Sequence, residues 1–171
     1  MDTASAGMGG LPVAVIGAGP VGLAAAAHLL ARGETPVVLE AGESVGASIR
    51  RWGHVRLFSP WKYLVDPVVA EMLEASGWER PDGEALPTGG ELVARLLEPL
   101  AAHPRLAPHL RLNARVAAVS RRGLDKVKTA GREDAPFEVV VRTPAGEERI
   151  LARAVVDASG TYATPNPVGA G

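Results

Sequence analysis

Cysteine is absent from the 171 residues. That excludes a disulfide, a thiolate metal site or a redox-active cysteine pair within them. Clustered positive charge is also missing. The formal net charge is -1, and gripping a phosphate backbone takes grouped Lys and Arg, so no nucleic-acid partner is expected. Long hydrophobic runs are lacking too. The apolar stretch 23–31 is too short to span a bilayer and is interrupted by His28. Residues 1–10 are small and polar, without the basic and apolar segments of a secretory signal. No membrane partner is expected, and the cytoplasm is the default location. His28, His54, His103 and His109 are scattered without metal-ligand spacing, so no metal site is expected.

What is present suits one soluble domain. Hydrophobic residues make up 47% and charged residues 22%, an ordinary globular balance. Residues 11–16 (LPVAVI) form a short apolar run ending in glycine, which predicts a strand buried on both faces of a parallel sheet. Residues 23–32 (LAAAAHLLAR) are strong helix formers, closed by Gly33 in the position of a C-terminal glycine. Residues 35–40 (TPVVLE) predict a second buried strand with an acid at its tip. Strand, helix and strand make a βαβ unit.

The next stretch, 41–63, has no sustained period and is expected to be a long ordered loop of functional importance. Asp66 and Pro67 predict the N-cap and first residue of a helix that ends near Ser76, before Gly77. Thr88 and Glu91 form a capping-box pattern for another helix, with Leu92, Val93, Leu96, Leu97 and Leu100 on its apolar face. Pro99 is expected to kink that helix or end it early. Strands are predicted at 110–121, 137–143, 147–152 and 154–158. A tight turn at Pro144-Ala145-Gly146 joins the second and third, and 123–136 reads as a polar loop.

The glycine-rich loop GAGPVG joins the first strand to the first helix. Gly17 permits the tight turn out of the strand, Gly19 lets a pyrophosphate approach the backbone, and Gly22 lets helix and sheet pack closely. Pro20 costs nothing at a position whose N–H has no helical partner. The helix N-terminus offers N–H groups and partial positive charge to phosphates. Glu40, about 20 residues beyond the second glycine, would accept bonds from ribose hydroxyls and repel a 2′-phosphate. FAD or NAD is therefore expected at this loop rather than NADP.

Three stretches resemble the flavoproteins with two dinucleotide-binding domains, a group that includes thioredoxin-reductase-like enzymes and the flavin-containing and Baeyer–Villiger monooxygenases. They are VAVIGAGPVGLAAAAHLLARGETPVVLE, the loop Val45-Gly46-Ala47-Ser48-Ile49, and Val155-Val156-Asp157-Ala158-Ser159-Gly160. The second stretch is similar to a Gly-Gly-Thr-Trp segment under the flavin, with Ala47, Ser48 and Ile49 in place of its Gly, Thr and Trp. The third is similar to an Ala-Thr-Gly signature, with Ser159 keeping the hydroxyl. The resemblance implies an α/β, Rossmann-like FAD/NAD(P)-binding domain over 11–160: a parallel sheet with helices and an added β-meander. A disordered tail at 1–10 and a linker at 161–171 are expected around it.

The same resemblance implies FAD as cofactor, with Val116 beside the adenine. It also implies NADPH or NADH as co-substrate of the parent enzyme, which would oxygenate a small-molecule substrate. The expected cofactor-binding residues are Gly17, Gly19, Pro20, Gly22, Glu40, Ala41, Ser48, Arg51, Trp52, Val116, Ser159 and Gly160. A homodimer is an expected assembly. The second glycine fingerprint and the C-terminal Gly-Asp segment of such enzymes are not found here, so the chain is expected to be a fragment. The alternative readings are a stand-alone NAD-binding dehydrogenase or sensor, and a fragment that binds no cofactor. No catalytic residue stands out, as suits an enzyme whose cofactor carries the chemistry. Arg50 and Arg51 read either as anion-binding groups or as an exposed cationic pair. Trp52, Trp61 and Tyr63 read either as pocket walls or as ordinary packing. His54 reads either as a polar contact near the flavin or as a structural residue, and the other three histidines as structural or solvated.

Overall fold

The computed structural model describes residues 8–127 and 129–162. Most of the expected tail 1–10 and linker 161–171, with Pro165-Asn166-Pro167, lies outside the described residues. Met8–Gly10 is a single 3₁₀ turn.

Strand β1 (Val13–Ile16) is built from β-branched and small residues and is buried on both faces. It runs through the glycine loop into helix α1 (Pro20–Ala31), and the chain returns as β2 (Pro36–Leu39), parallel to β1. The small residues Gly22, Ala26 and Ala27 of α1 are buried with Leu23 against the sheet. Gly33, at φ 74°, turns the chain out of the helix.

The stretch 41–63, expected to be one long loop, contains a short helix α2 (Ala47–Arg50) and a 3₁₀ turn, Trp61–Tyr63. Beside its local turns, backbone bonds tie it to distant residues, among them Leu57 N–H to Pro87 O, Trp61 N–H to Ala85 O and Gly46 N–H to Ala18 O. Helix α3 (Pro67–Glu74) opens on Asp66, whose carboxylate accepts from the N–H groups of Val68 and Val69. The expected capping box is present at α4 (Gly89–Leu92), with Thr88 and Glu91 bonded reciprocally.

Pro99 does not end the next segment early, but the winding of the helix changes just before it. The chain passes through one π-helical turn, Val93–Leu97, into α5 (Glu98–Ala102), where Pro99 occupies the opening turn. A proline N–H is missing one turn beyond the Arg95 carbonyl, and the Trp78 indole Nε1–H donates to that carbonyl at 2.8 Å. All five predicted apolar positions, Leu92, Val93, Leu96, Leu97 and Leu100, are buried.

The predicted strand 110–121 is two strands in two sheets. β3 (Leu110–Arg111) adds to β2 in parallel, and β4 (Arg115–Arg121) starts an antiparallel meander with β5 (Phe137–Thr143) and β6 (Gly146–Ala152). The break is at Asn113, the one non-glycine residue with positive φ (53°) among the described residues. β7 (Ala154–Asp157) then returns to the parallel sheet beside β1, giving the order β3-β2-β1-β7. The sheet separates two cores. Val15, Val38 and Val156 face the helices, while Ala14, Leu39 and Val155 face Ala114, Val139, Val141 and Ala152 of the meander segment. No helix among the described residues is long and apolar enough to cross a membrane.

Candidate cofactor site

The glycine loop lies at the carboxyl end of β1, between the ends of β2 and β7, where open parallel sheets bind ligands. Two of its glycines are sterically required. A Cβ on Gly22 would lie 1.9 Å from the Gly17 carbonyl oxygen. A Cβ on Gly17, already at φ 97°, would lie 2.7 Å from the Ala158 carbonyl oxygen. Gly19 is different: nothing lies within 4 Å of where its Cβ would point. It is the N-cap of α1 and supplies no side-chain cap of its own. The first turn of α1 therefore presents its N–H groups to an open space.

Glu40 closes the other side of the loop. Its Oε2 accepts from Ala18 N–H and its Oε1 from Gly42 N–H, both at 2.7 Å. Each carboxylate oxygen keeps lone-pair capacity for a hydroxyl donor. Ala18 was not singled out from sequence, because its role is a backbone N–H. The segment before β4 is fastened to the same corner: Ala114 N–H donates to Glu40 O and Asn113 N–H to Gly42 O, both at 2.8 Å. From there β4 crosses toward β7. A cavity of about 260 Å³ lies between them, lined by Ile16, residues 116–119, Asp157 and Ser159. Val116, the residue expected beside a base, is in this lining.

Asp157 at the tip of β7 lines the same cavity and was not singled out from sequence. Its Oδ1 accepts from the Ser159 hydroxyl at 2.6 Å and the Ser159 N–H at 3.0 Å. These two bonds hold its carboxyl below the usual carboxylate range, against a smaller opposing effect of burial. An acid directly after an apolar strand was the available signal, the same one that marks Glu40. Gly160 follows at φ 67°, exposed and with nothing near its absent Cβ.

The remaining expected residues divide. Ala41, Ser48 and Arg51 are exposed, and the bond from Gly46 N–H to Ala18 O brings α2 next to the glycine loop. The Arg51 guanidinium lies 5.8 Å from the Tyr162 ring. Arg50 is committed elsewhere, to Glu98 at 2.7 Å and the Val45 carbonyl at 3.1 Å. Trp52 is half-buried with its ring against Gly89 and joins the helix-side core. Trp61 is 2% exposed and belongs to that core, whereas Tyr63 and His54 are on the surface. His28 Nε2 lies 3.0 Å from the Asp66 carboxylate, tying α1 to α3. His103 is buried, its Nδ1 accepting from Arg105 N–H.

Solved structures share this architecture. The bacillithiol disulfide reductase Bdr (YpdA) from Bacillus cereus superposes with a TM-score of 0.68 and 28% identity, over 92% of this chain and 42% of that one. A flavin-containing monooxygenase from Stenotrophomonas maltophilia gives 0.61 and 30%, over 88% and 38%. OTEMO, solved in complex with FAD and NADP, gives 0.62 and 24%, over 88% and 26%, a likeness of fold. The chain thus spans less than half the length of each. No curated protein matches it. The sheet, loop and meander are those of a Rossmann-like flavoprotein domain. The sequence model described as pyridine nucleotide-disulphide oxidoreductase matches residues 14–170. So long a match leaves little of the chain outside it, and the protein belongs to the pyridine nucleotide-disulphide oxidoreductase family.

Proposed function

We propose that this chain is the FAD-binding part of a flavin-dependent oxidoreductase that uses NADPH or NADH and oxygenates a small molecule. The observation that carries the reading is the open Gly19 corner with the Glu40 carboxylate fixed across from it by Ala18 and Gly42. The likeness to a flavin-containing monooxygenase at 30% identity supports the reaction class. FAD, when bound, supplies hydride acceptance from a nicotinamide and delivery of the electrons onward. The residues of this chain bind and orient. Gly19 and Pro20 leave room for the pyrophosphate, and the first turn of α1 donates to it. Glu40 accepts from the ribose hydroxyls and repels a 2′-phosphate, so the nicotinamide cofactor binds elsewhere in the parent enzyme. Ser48 and Arg51 stand on the solvent side of the same corner, toward the flavin end. Val116, Ser159 and Gly160 stand toward the base. The proposed setting is the cytoplasm, with a homodimer as the assembly.

Titration of the purified chain with FAD, NADH and NADPH tests this. Bound flavin bands that weaken about tenfold in affinity on Glu40→Gln are expected, one charge-assisted bond being of that order. A colourless protein that takes NADH and refuses FAD would overturn the reading. In the parent enzyme, NADPH oxidation should match oxygen uptake. Stoichiometric reduction of a disulfide substrate instead would reject the oxygenase assignment.

A further inference from the structure

Asp157 breaks the pattern of the surface it stands on. Side chains alternate along a strand, so Asp157 shares the face of Val155, and its register partner is Ile16. That face is otherwise apolar, with Ala14, Leu39 and Val155 packed on Val139, Val141 and Ala152. Asp157 itself is exposed, at the open end of that face where the cavity begins. The carboxylate is also held in one orientation: both Ser159 donors fall on Oδ1, and no described protein donor reaches Oδ2. Oδ2 is the acceptor left for the cavity.

The cavity has a shape that narrows its occupant. Strand β4 leaves the Glu40 corner, where Ala114 N–H donates to Glu40 O, and its residues 116–119 line the cavity with Asp157 and Ser159. Glu40 directly follows β2 and Asp157 ends β7, so both stand at the carboxyl edge of the sheet, with β4 leaving the first and lining the cavity beside the second. Four consecutive residues, 116–119, line it. Because alternate side chains leave a strand on opposite faces, such a run meets the cavity with its backbone edge. The register shift between Val116 and Ala118 falls in this run. β4 pairs with β5 alone, so the N–H and C=O groups of that edge are free to pair with a flat heterocycle.

We infer that the Asp157 carboxylate accepts a hydrogen bond from the exocyclic amine of adenine, so that the site selects its nucleotide by base as well as by ribose. This rests on the reading above that Glu40 holds the ribose. With the ribose at Glu40, the base continues along β4 toward Asp157. A carboxylate there favours a purine with an amine at that edge and disfavours one with a carbonyl, where two acceptors would face each other.

The test is calorimetric titration of the full chain with ADP and with inosine diphosphate, which differ at that edge in amine against carbonyl. The wild-type chain should prefer ADP by roughly tenfold, as expected for one well-placed base contact. Asp157→Asn keeps an oxygen for Ser159 and turns an NH₂ toward the cavity, so it should lose or invert the preference. Its circular dichroism should match wild type. Equal binding of the two nucleotides by the wild-type chain, or an unchanged preference in D157N, overturns the inference while leaving FAD binding intact. A chain that binds neither ADP nor FAD overturns the cofactor assignment as well.

Discussion

The first βαβ unit and the stretch that follows it are held in opposite ways. From β1 to β2 the chain is fixed by local geometry: a run of β-branched residues, a glycine loop, an alanine-rich helix and a C-terminal glycine. From residue 41 to residue 63 the chain makes only short turns of its own, and long-range bonds fix where they sit. Gly46 is bonded to Ala18, Arg50 to Glu98, Leu57 to Pro87 and Trp61 to Ala85. The first region is rigid by its own sequence and the second by its neighbours. Substitutions should therefore act sharply and alone in the first, and through distant partners in the second.

Gly22→Ala should have the largest effect. Its methyl would need the Gly17 carbonyl oxygen to move from 1.9 Å, and that carbonyl belongs to backbone already constrained by Ala158. We expect a loss above ~3 kcal/mol, seen as failure to recover folded protein by circular dichroism. A G22A chain that unfolds in urea like wild type would break the claim that the first unit is locally fixed.

Asp66 comes next, because it has one foot in each regime. It caps α3 through Val68 and Val69, and it reaches His28 on α1. Asp66→Ala should cost about 1–2 kcal/mol in urea unfolding, the usual worth of a cap. Burial pushes the Asp66 carboxyl up, but the His28 bond and the N–H groups of Val69 and Val68 together outweigh it and lower it below its ordinary value of 3.8. A carboxyl lowered in the folded state stabilises above that ordinary value. The contribution disappears as pH falls through the folded-state value. Asp66→Asn keeps a cap and should flatten this part of the acid-unfolding curve. An acid transition identical to wild type would place the stabilisation in the cap alone.

Trp78→Phe probes a wholly distant contact and should have the smallest effect. It keeps the ring and removes the donor to the Arg95 carbonyl that Pro99 cannot serve. A loss of about 1 kcal/mol is expected. A neutral result in thermal unfolding would show that water replaces the indole there.

Legibility in the sequence follows the same division. Gly17, Gly19, Gly22 and Glu40 were readable because their spacing is the geometry. The capping pairs at Asp66 and Thr88 were readable for the same reason. The split of 110–121 was not, because alternation continues across Asn113 and only its positive φ assigns the two halves to different sheets. Whether Pro99 would kink its helix or end it was not decided by sequence, because the indole that serves the carbonyl left without its N–H is 21 residues upstream. Asp157 was passed over because its significance depends on β4 lying across from it.

By itself, then, the sequence determined a βαβ unit, a tight glycine loop and an acid at the tip of the second strand, since these depend on backbone freedom and charge within a few residues. The tertiary structure alone decided that Glu40 is anchored to Ala18 and that Arg50 pairs with Glu98. It also decided that Trp61 is core and that Asp157 and β4 line one cavity. Those outcomes depend on which surfaces meet when the two cores close on either side of the sheet, and no local spacing encodes that.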